Sequence, residues 1–292
     1  MKGIVLAGGT GSRLWPITRS VSKQLLPIYD KPMIFYPIST LMLAGIREIL
    51  IITTPHDQPL FKALLGNGSE LGVTFEYATQ SEPKGLAQAI SIGEKFLGNE
   101  SFALILGDNI FHGVGLGHDL HKYTNMAGCH IFLYTVFNPT NYGILEVDNE
   151  ASPISIVEKP PAPKSNLAVT GLYFFDERAI AFAKQVKPST RGELEITSVI
   201  QFYLESKELN YTVLSRGSAW LDTGQYNSLN DAGNFVRVIE ERTGLKIGCL
   251  EEIAWRNGWI SDTQLVDLAN SYSASGYGNY LLNLKNDSAT KL

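Results

Sequence analysis

The chain is short of cysteine, of net positive charge and of long apolar runs, and each shortage excludes something. Two cysteines in 292 residues, Cys129 and Cys249, stand far apart and match no metal-ligand spacing. Neither a disulfide framework nor a thiolate zinc site is expected, and both read as buried free thiols in a reducing compartment. A formal charge of −5 is the wrong sign for a general nucleic-acid binder. No stretch approaches the roughly 18 apolar residues of a membrane span, and the opening apolar run is too short for a signal peptide. The expectation is a cytoplasmic protein with no membrane partner. No Gly-Lys pair occurs, which removes the P-loop, and the first glycines miss the spacing of a dinucleotide fingerprint. A Gly-x-Ser-x-Gly elbow is missing too, which argues against a serine hydrolase. His112, His118 and His121, with Asp119, fall around a glycine-rich loop without a metal signature, and His56 and His130 are isolated. All five read as solvated or structural.

What is present is concentrated at the start. Ile4 to Ala7 form an unbroken apolar run, followed by Gly8, Gly9, Thr10, Gly11 and Ser12, then Arg13 and, ten residues on, Lys23. Such a run suits a central parallel strand ending at a ligand. Glycines let the backbone bend sharply, and successive N–H groups in such a turn form a cradle for an anion. Residues 1–35 hold five basic side chains (Lys2, Arg13, Arg19, Lys23, Lys31) against Asp30 alone. A local positive patch on an acidic chain suits a small polyphosphate better than a polymer.

Further on, strands and helices alternate. A helix is expected over Met33 to Gly45, strands over Glu48–Thr53, Val73–Tyr77, Phe102–Leu106 and Ile131–Phe137, and helices near 58–65, 86–97 and 117–125. This rhythm indicates an α/β fold with an open, mostly parallel sheet covered on both faces, binding ligands beyond the carboxyl ends of its strands. From about 138 short alternating strands take over (Gly143–Asp148, Ile154–Glu158, Leu167–Phe175), with helices from Glu177 and near Leu194. Glu193 and Glu195 would suit the positive end of the second helix. Strands at Tyr211–Ser215 and Ala219–Leu221 and a long helix over Gln225–Arg242 follow. The organisation expected is one domain over 1–242, with halves of about 1–137 and 138–242, and a helical appendage over 243–292.

The strand rule directs attention to particular residues. Asp108 and Asp222 each end an apolar strand and should surface at the ligand edge of the sheet. Two carboxylates suit Mg²⁺ carried with a nucleotide, because phosphates and waters complete its octahedron. Gln80 follows a strand and precedes Gly85; its carboxamide can donate and accept, matching a thymine or uracil edge. Glu158 and Lys159 could hold sugar hydroxyls and a monophosphate. Tyr142-Gly143 could present a main-chain group. With no catalytic histidine or serine, the reaction class that fits has an anionic phosphate as nucleophile, needing alignment and charge neutralisation only.

These residues resemble a known family. Leu6-Ala7-Gly8-Gly9-Thr10-Gly11-Ser12-Arg13-Leu14 with Ser22-Lys23-Gln24-Leu25-Leu26-Pro27 is similar to the signature of sugar-phosphate nucleotidyltransferases. Leu106-Gly107-Asp108-Asn109, Glu158-Lys159-Pro160, Arg191-Gly192-Glu193-Leu194-Glu195 and Trp220-Leu221-Asp222-Thr223-Gly224 extend the likeness toward the glucose-1-phosphate thymidylyltransferases. The resemblance implies a Rossmann-like fold with a small mixed β sugar-binding part. It implies the reaction of dTTP with glucose 1-phosphate to dTDP-glucose and pyrophosphate, the first step of dTDP-sugar (such as dTDP-rhamnose) synthesis. It further implies Arg13, Lys23, Asp108 and Asp222 as the catalytic set, with Mg²⁺ on the two aspartates. The nucleotide would lie on Gly8, Gly9, Gly11, Ser12, Arg13, Lys23, Gln24, Gln80, Gly85 and Asp108. The sugar phosphate would lie on Asn109, Tyr142, Gly143, Glu158, Lys159 and Val169. A homotetramer with feedback inhibition is implied as well. A uridylyltransferase of the same fold and a non-catalytic nucleotide-sugar sensor stay open as alternatives.

Overall fold

The computed structural model describes residues 1–9 and 11–284; Thr10 of the glycine-rich turn and the end of the C-terminal segment lie outside the described residues. The strands are β1 (Lys2–Ala7), β2 (Pro27–Ile28), β3 (Lys31–Pro32), β4 (Glu48–Thr53), β5 (Thr74–Thr79), β6 (Phe102–Leu106), β7 (Asn109–His112), β8 (Cys129–Thr135), β9 (Gly143–Val147), β10 (Pro153–Glu158), β11 (Leu167–Phe175), β12 (Leu209–Val213) and β13 (Ala219–Asp222). The helices are α1 (Phe35–Leu43), α2 (Gln58–Leu65), α3 (Ala87–Leu97), α4 (Leu116–His121), α5 (Ala179–Ala183), α6 (Ile196–Glu205), α7 (Tyr226–Thr243), α8 (Leu250–Arg256), α9 (Asp262–Ser271) and α10 (Gly276–Asn283).

Why β1 is central follows from its side chains. Ile4 and Leu6 point into one apolar cluster, with Ala87 and Ile90 of α3 and Val199 and Ile200 of α6. Val5 and Ala7 point into the other, with Ile38 and Leu41 of α1, Phe61 of α2 and Leu250, Leu265 and Leu281 of α8 to α10. A strand apolar on both faces must be covered on both, and each fully buried Ile or Leu contributes about 1.5–3 kcal/mol. β1 lies between β4 and β6, parallel to both, and β5 extends the parallel part. Beyond β6, β11 runs antiparallel and leads to β9 and β10, with β8 and β12 attached through it. The short strands after residue 138 therefore continue the same nine-stranded sheet.

Several boundaries differ from the periodicity, for local reasons. Helix α1 starts at Phe35, not Met33; Met33 N–H donates to Leu26 C=O (2.9 Å) and Ile34 N–H to Gln24 C=O (2.9 Å), which ties the residues before the helix to the Lys23 segment. It ends at Gly45 as expected. That glycine has φ +80°, and the Gly45 N–H to Met42 and Ile46 N–H to Leu41 bonds close a Schellman motif. Strand β8 begins at Cys129, two residues early, and stops before Phe137, whose side chain is exposed. Strand β7 was not anticipated. It pairs antiparallel with β13 in a separate two-stranded ribbon, Asp222 opposite Asn109, so β13 is not a strand of the main sheet.

A buried carboxylate fastens the far end of β11. Asp176 accepts from Gly128 N–H (2.7 Å), Tyr203 O–H (2.7 Å) and Arg178 Nη2 (2.6 Å). Burial works to raise its carboxyl, but the Arg178 and Tyr203 hydrogen bonds prevail and hold it below the ordinary carboxylate range. Truncating it strands a buried N–H and hydroxyl. Asp176→Ala is expected to lose about 3 kcal/mol of unfolding free energy, read from urea midpoints at pH 7. Because the folded-state value lies below the unfolded one, the deficit of Asp176→Asn is expected in full above about pH 4 and to shrink as pH falls through the folded value.

Candidate active site

The turn after β1 is closed by short-range bonds. Gly11 has φ +63°, and its C=O accepts from Leu14 N–H (2.8 Å) and Thr18 Oγ1 (2.7 Å). Residues Ser12–Leu14 then make a tight helical turn that carries Arg13 to the edge of a cavity. A Cβ built on Gly224 would lie 3.5 Å from an Arg13 guanidinium nitrogen and 3.2 Å from Asp222 Oδ1. The cation and the carboxylate thus face the same glycine.

Lys23 is 6% exposed and sits 2.6 Å from Asp108 Oδ2. The other Asp108 oxygen accepts from Asn109 Nδ2 at 2.8 Å. Asn109 is itself fixed, its Oδ1 accepting from Trp220 Nε1 (2.6 Å) and Gly171 N–H (3.2 Å). Burial works to raise the Asp108 carboxyl, but Lys23 overcomes it and the group lies below its ordinary value. Asp222 goes the other way: burial and then the neighbouring Asp108 raise it, and Lys23 and Arg13 compensate only in part. Asp222 has no cation within ion-pair distance among the described residues. It reaches Asp108 because the β7–β13 ribbon ends there, with Thr223 N–H and Oγ1 both donating to Asp108 C=O. The expectation that Asp222 comes off the sheet edge is corrected accordingly.

On one side of this centre, Gln80 is buried, its Nε2 donating to Gln88 Oε1 (2.7 Å) and to Gly85 C=O (3.3 Å). Gly85 has φ +117°, and a Cβ there would meet the Leu194 carbonyl oxygen at 2.4 Å. The close approach that requires glycine at this position is to the chain's own backbone. On the other side, Glu158 ends β10 opposite Gly143, where a Cβ would meet Thr197 Cγ2 at 2.9 Å. Lys159 follows with φ +43°, held by its N–H to Tyr142 C=O (3.0 Å). A left-handed non-glycine residue is a strained conformation of the kind that gathers at functional sites.

The cavity joining these parts measures about 450 Å³. Of the predicted site residues, all but Gly8 line it: Gly9, Gly11, Ser12, Arg13, Lys23, Gln24, Gln80, Gly85, Asp108, Asn109, Tyr142, Gly143, Glu158, Lys159, Val169 and Asp222. Gly8 abuts the Gln80 side chain, where an added Cβ would sit 2.5 Å from Oε1. The lining residues that the sequence reading does not single out for the site include the charged Arg191, Glu193 and Glu195, with Thr197 beside them. Glu193 and Glu195 were read as suiting a helix dipole. In the structure Glu195 makes no side-chain cap; its carboxylate accepts from Ser189 (2.8 Å) and Arg191 (3.2 Å), and Arg191 also lies 3.6 Å from Glu158. Burial and then Glu195 raise the Glu158 carboxyl, while Lys159 and Arg191 pull it back. The cavity gathers cations and a carboxylate pair, a neutral amide, and an acid-rich, arginine-bearing wall. That mixture suits a base, a polyphosphate and a polyol.

Comparison with known proteins identifies the family. The sequence profile of the family described as Nucleotidyl transferase matches residues 2–238. The glucose-1-phosphate thymidylyltransferase of Mycobacterium tuberculosis is 57% identical over 97% of this chain and 99% of its own length. That of Neisseria meningitidis is 55% identical over 97% and 99%. A Bacillus anthracis structure assigned as a glucose-1-phosphate thymidylyltransferase, in complex with sucrose, superposes with a TM-score of 0.75 at 40% identity, over 81% of this chain and 95% of that one. A UDP-glucose pyrophosphorylase complexed with UDP-glucose superposes with a TM-score of 0.73 at 26% identity, over 82% and 98%. The family profile over residues 2–238, with relatives matched along nearly the whole chain, places this protein in the nucleotidyl transferase family.

Proposed function

We propose that the chain transfers a thymidylyl group from dTTP to glucose 1-phosphate, giving dTDP-glucose and pyrophosphate as the first step of dTDP-sugar synthesis. The observation that carries this reading is that Arg13, Lys23, Asp108 and Asp222 line one cavity together with Gln80 and Glu158. The sugar-phosphate oxygen attacks the α-phosphorus, the bond from that phosphorus to the bridging oxygen breaks, and pyrophosphate leaves with both bonding electrons. The nucleophile is already an anion, so no proton has to move, and no histidine is among the residues lining the cavity. What the protein supplies is alignment and charge. Oriented binding of two reactants is worth about 7–11 kcal/mol of barrier. Arg13 and Lys23 offset charge on the triphosphate, Gln80 receives the base, and Glu158 with Lys159 receives the sugar phosphate.

The site fits Mg²⁺. Two carboxylates lie close enough that Asp108 raises Asp222, and no cation stands within ion-pair distance of Asp222 among the described residues. Two carboxylates alone leave coordination positions for phosphates and waters, as Mg²⁺ prefers. Asp108 and Asp222 would hold the ion, which when bound neutralises charge on the polyphosphate.

The experiment is pyrophosphate release with Mg²⁺, offering each common nucleoside triphosphate and several hexose 1-phosphates. dTTP with glucose 1-phosphate is expected to be the best pair. UTP should be poorer but measurable, since one methyl is worth about 1–3 kcal/mol; UTP rates equal to or above those with dTTP would overturn the specificity. Asp222→Asn is expected to cut kcat by roughly 100-fold or more while leaving the melting temperature nearly unchanged, because it removes a ligand and no packing; unchanged turnover removes Asp222 from the centre. Lys159→Ala should raise KM for glucose 1-phosphate roughly tenfold or more, consistent with loss of a charge-assisted contact. A normal KM would take Lys159 out of the pocket.

A further inference from the structure

A carboxamide has one donor end and one acceptor end of nearly the same shape, so a lone glutamine can turn to present either. At Gln80 that freedom is removed by backbone groups whose polarity is covalently fixed. Lys84 N–H, which can only donate, lies 3.2 Å from a Gln88 side-chain atom while also bonded to Glu82 C=O (2.9 Å). That Gln88 atom must be Oε1. The same Oε1 is 2.7 Å from one end of the Gln80 amide, which must therefore be Nε2. Gly85 C=O, which can only accept, faces the same Nε2 at 3.3 Å. Both Gln80 donors are thus taken by the protein. The opposite end, Oε1, lies against Gly8, where an added Cβ would sit 2.5 Å from it.

We propose that Gln88 is a positioning residue that determines base specificity, by fixing Gln80 so that it offers the base an acceptor only. The inference rests on the reading that the Gln80 end of the cavity takes the nucleotide base. Gln88 does not itself line the cavity, so it acts through Gln80. An acceptor at that point takes a base carrying an N–H, as thymine and uracil do at N3. It rejects cytosine, whose N3 bears a lone pair; the two acceptors would face each other with no hydrogen between them. Turned over, Gln80 would instead donate to cytosine. Of the two contacts preventing the turn, the Gly85 one is long, and the shorter Gln88 bond carries more of the restraint.

The test measures kcat/KM for dTTP and dCTP on the full chain, in the wild type and in Gln88→Leu and Gln88→Glu. The wild type should strongly prefer dTTP. Gln88→Leu should shrink the dTTP:dCTP ratio roughly tenfold or more, the scale of one misoriented buried hydrogen bond, while KM for glucose 1-phosphate stays put. Gln88→Glu, whose carboxylate still accepts from Lys84 N–H and from Gln80, should restore the ratio. Should the leucine variant fail to fold, the near-isosteric Gln88→Met carries the same expectation. A variant that loses both nucleotides equally, with the ratio unchanged, would overturn the role of Gln88 and leave the base assignment standing. A wild type that uses dCTP as well as dTTP would overturn the base assignment itself.

Discussion

The ion pair between Lys23 and Asp108 is the contact on which the rest of the site depends. An ammonium as deeply buried as Lys23 is costly without an anion at its side, and removing one partner of such a pair costs about 3–5 kcal/mol. The pair is also a ruler. Lys23 comes from the segment after β1 and Asp108 from the end of β6, and these two strands are neighbours with Leu6 opposite Leu106. Gly107 N–H continues that ladder by donating to Leu6 C=O at 2.9 Å. The level at which the glycine turn and the first carboxylate emerge is therefore set by strand register.

Two other fastenings reach the same place. The Lys23 segment is tied to the start of α1 through Gln24 C=O and Leu26 C=O. The turn that follows it carries Asp30 and Lys31. Lys31 is 2% exposed, pairs with Asp30 and with Glu240 of α7 (2.8 Å), and lies over the rings of Tyr36 and Tyr277. Lys246 bonds the same two carboxylates and lies over Tyr277 and Tyr280. A network in which each buried charge meets an opposite one clamps the Lys23 segment between α7 and the C-terminal helices. Those helices, though far from the cavity, help fix the residue at its centre.

How much of this was legible depended on whether a residue's neighbours are close in sequence. The β1 run, its glycines, Arg13, Lys23 and Asp108 could be read because strand, turn and charge follow one another within a short stretch. Helix α2 matched its expected limits for the same reason. The β7–β13 ribbon could not, since Asn109–His112 is four residues long and its partner lies beyond residue 218. Asp222 was therefore found as a strand end, but the way it arrives was missed. The Arg191–Glu195 stretch was misread because acids before a helix are ordinarily explained by its dipole; only the folded chain brings Arg191 beside Glu158. The available signal was the density of charge there: an arginine and two glutamates within five residues in a loop.

Charge and shape divide the labour along the cavity. Cations and carboxylates at the centre would act on any nucleoside triphosphate alike, since every one carries the same phosphates, so they cannot choose among bases. If Gln80 receives the base, choice falls to its neutral amide, where one hydrogen bond of the wrong polarity leaves buried groups unpaired and costs about 1–3 kcal/mol. Gly8 bears on that choice. Its lack of a side chain leaves space for the Gln80 oxygen, which an added Cβ would approach to 2.5 Å. A side chain at this one position would push on that amide, so the residue that leads from β1 into the glycine-rich turn also sets the room in which Gln80 sits.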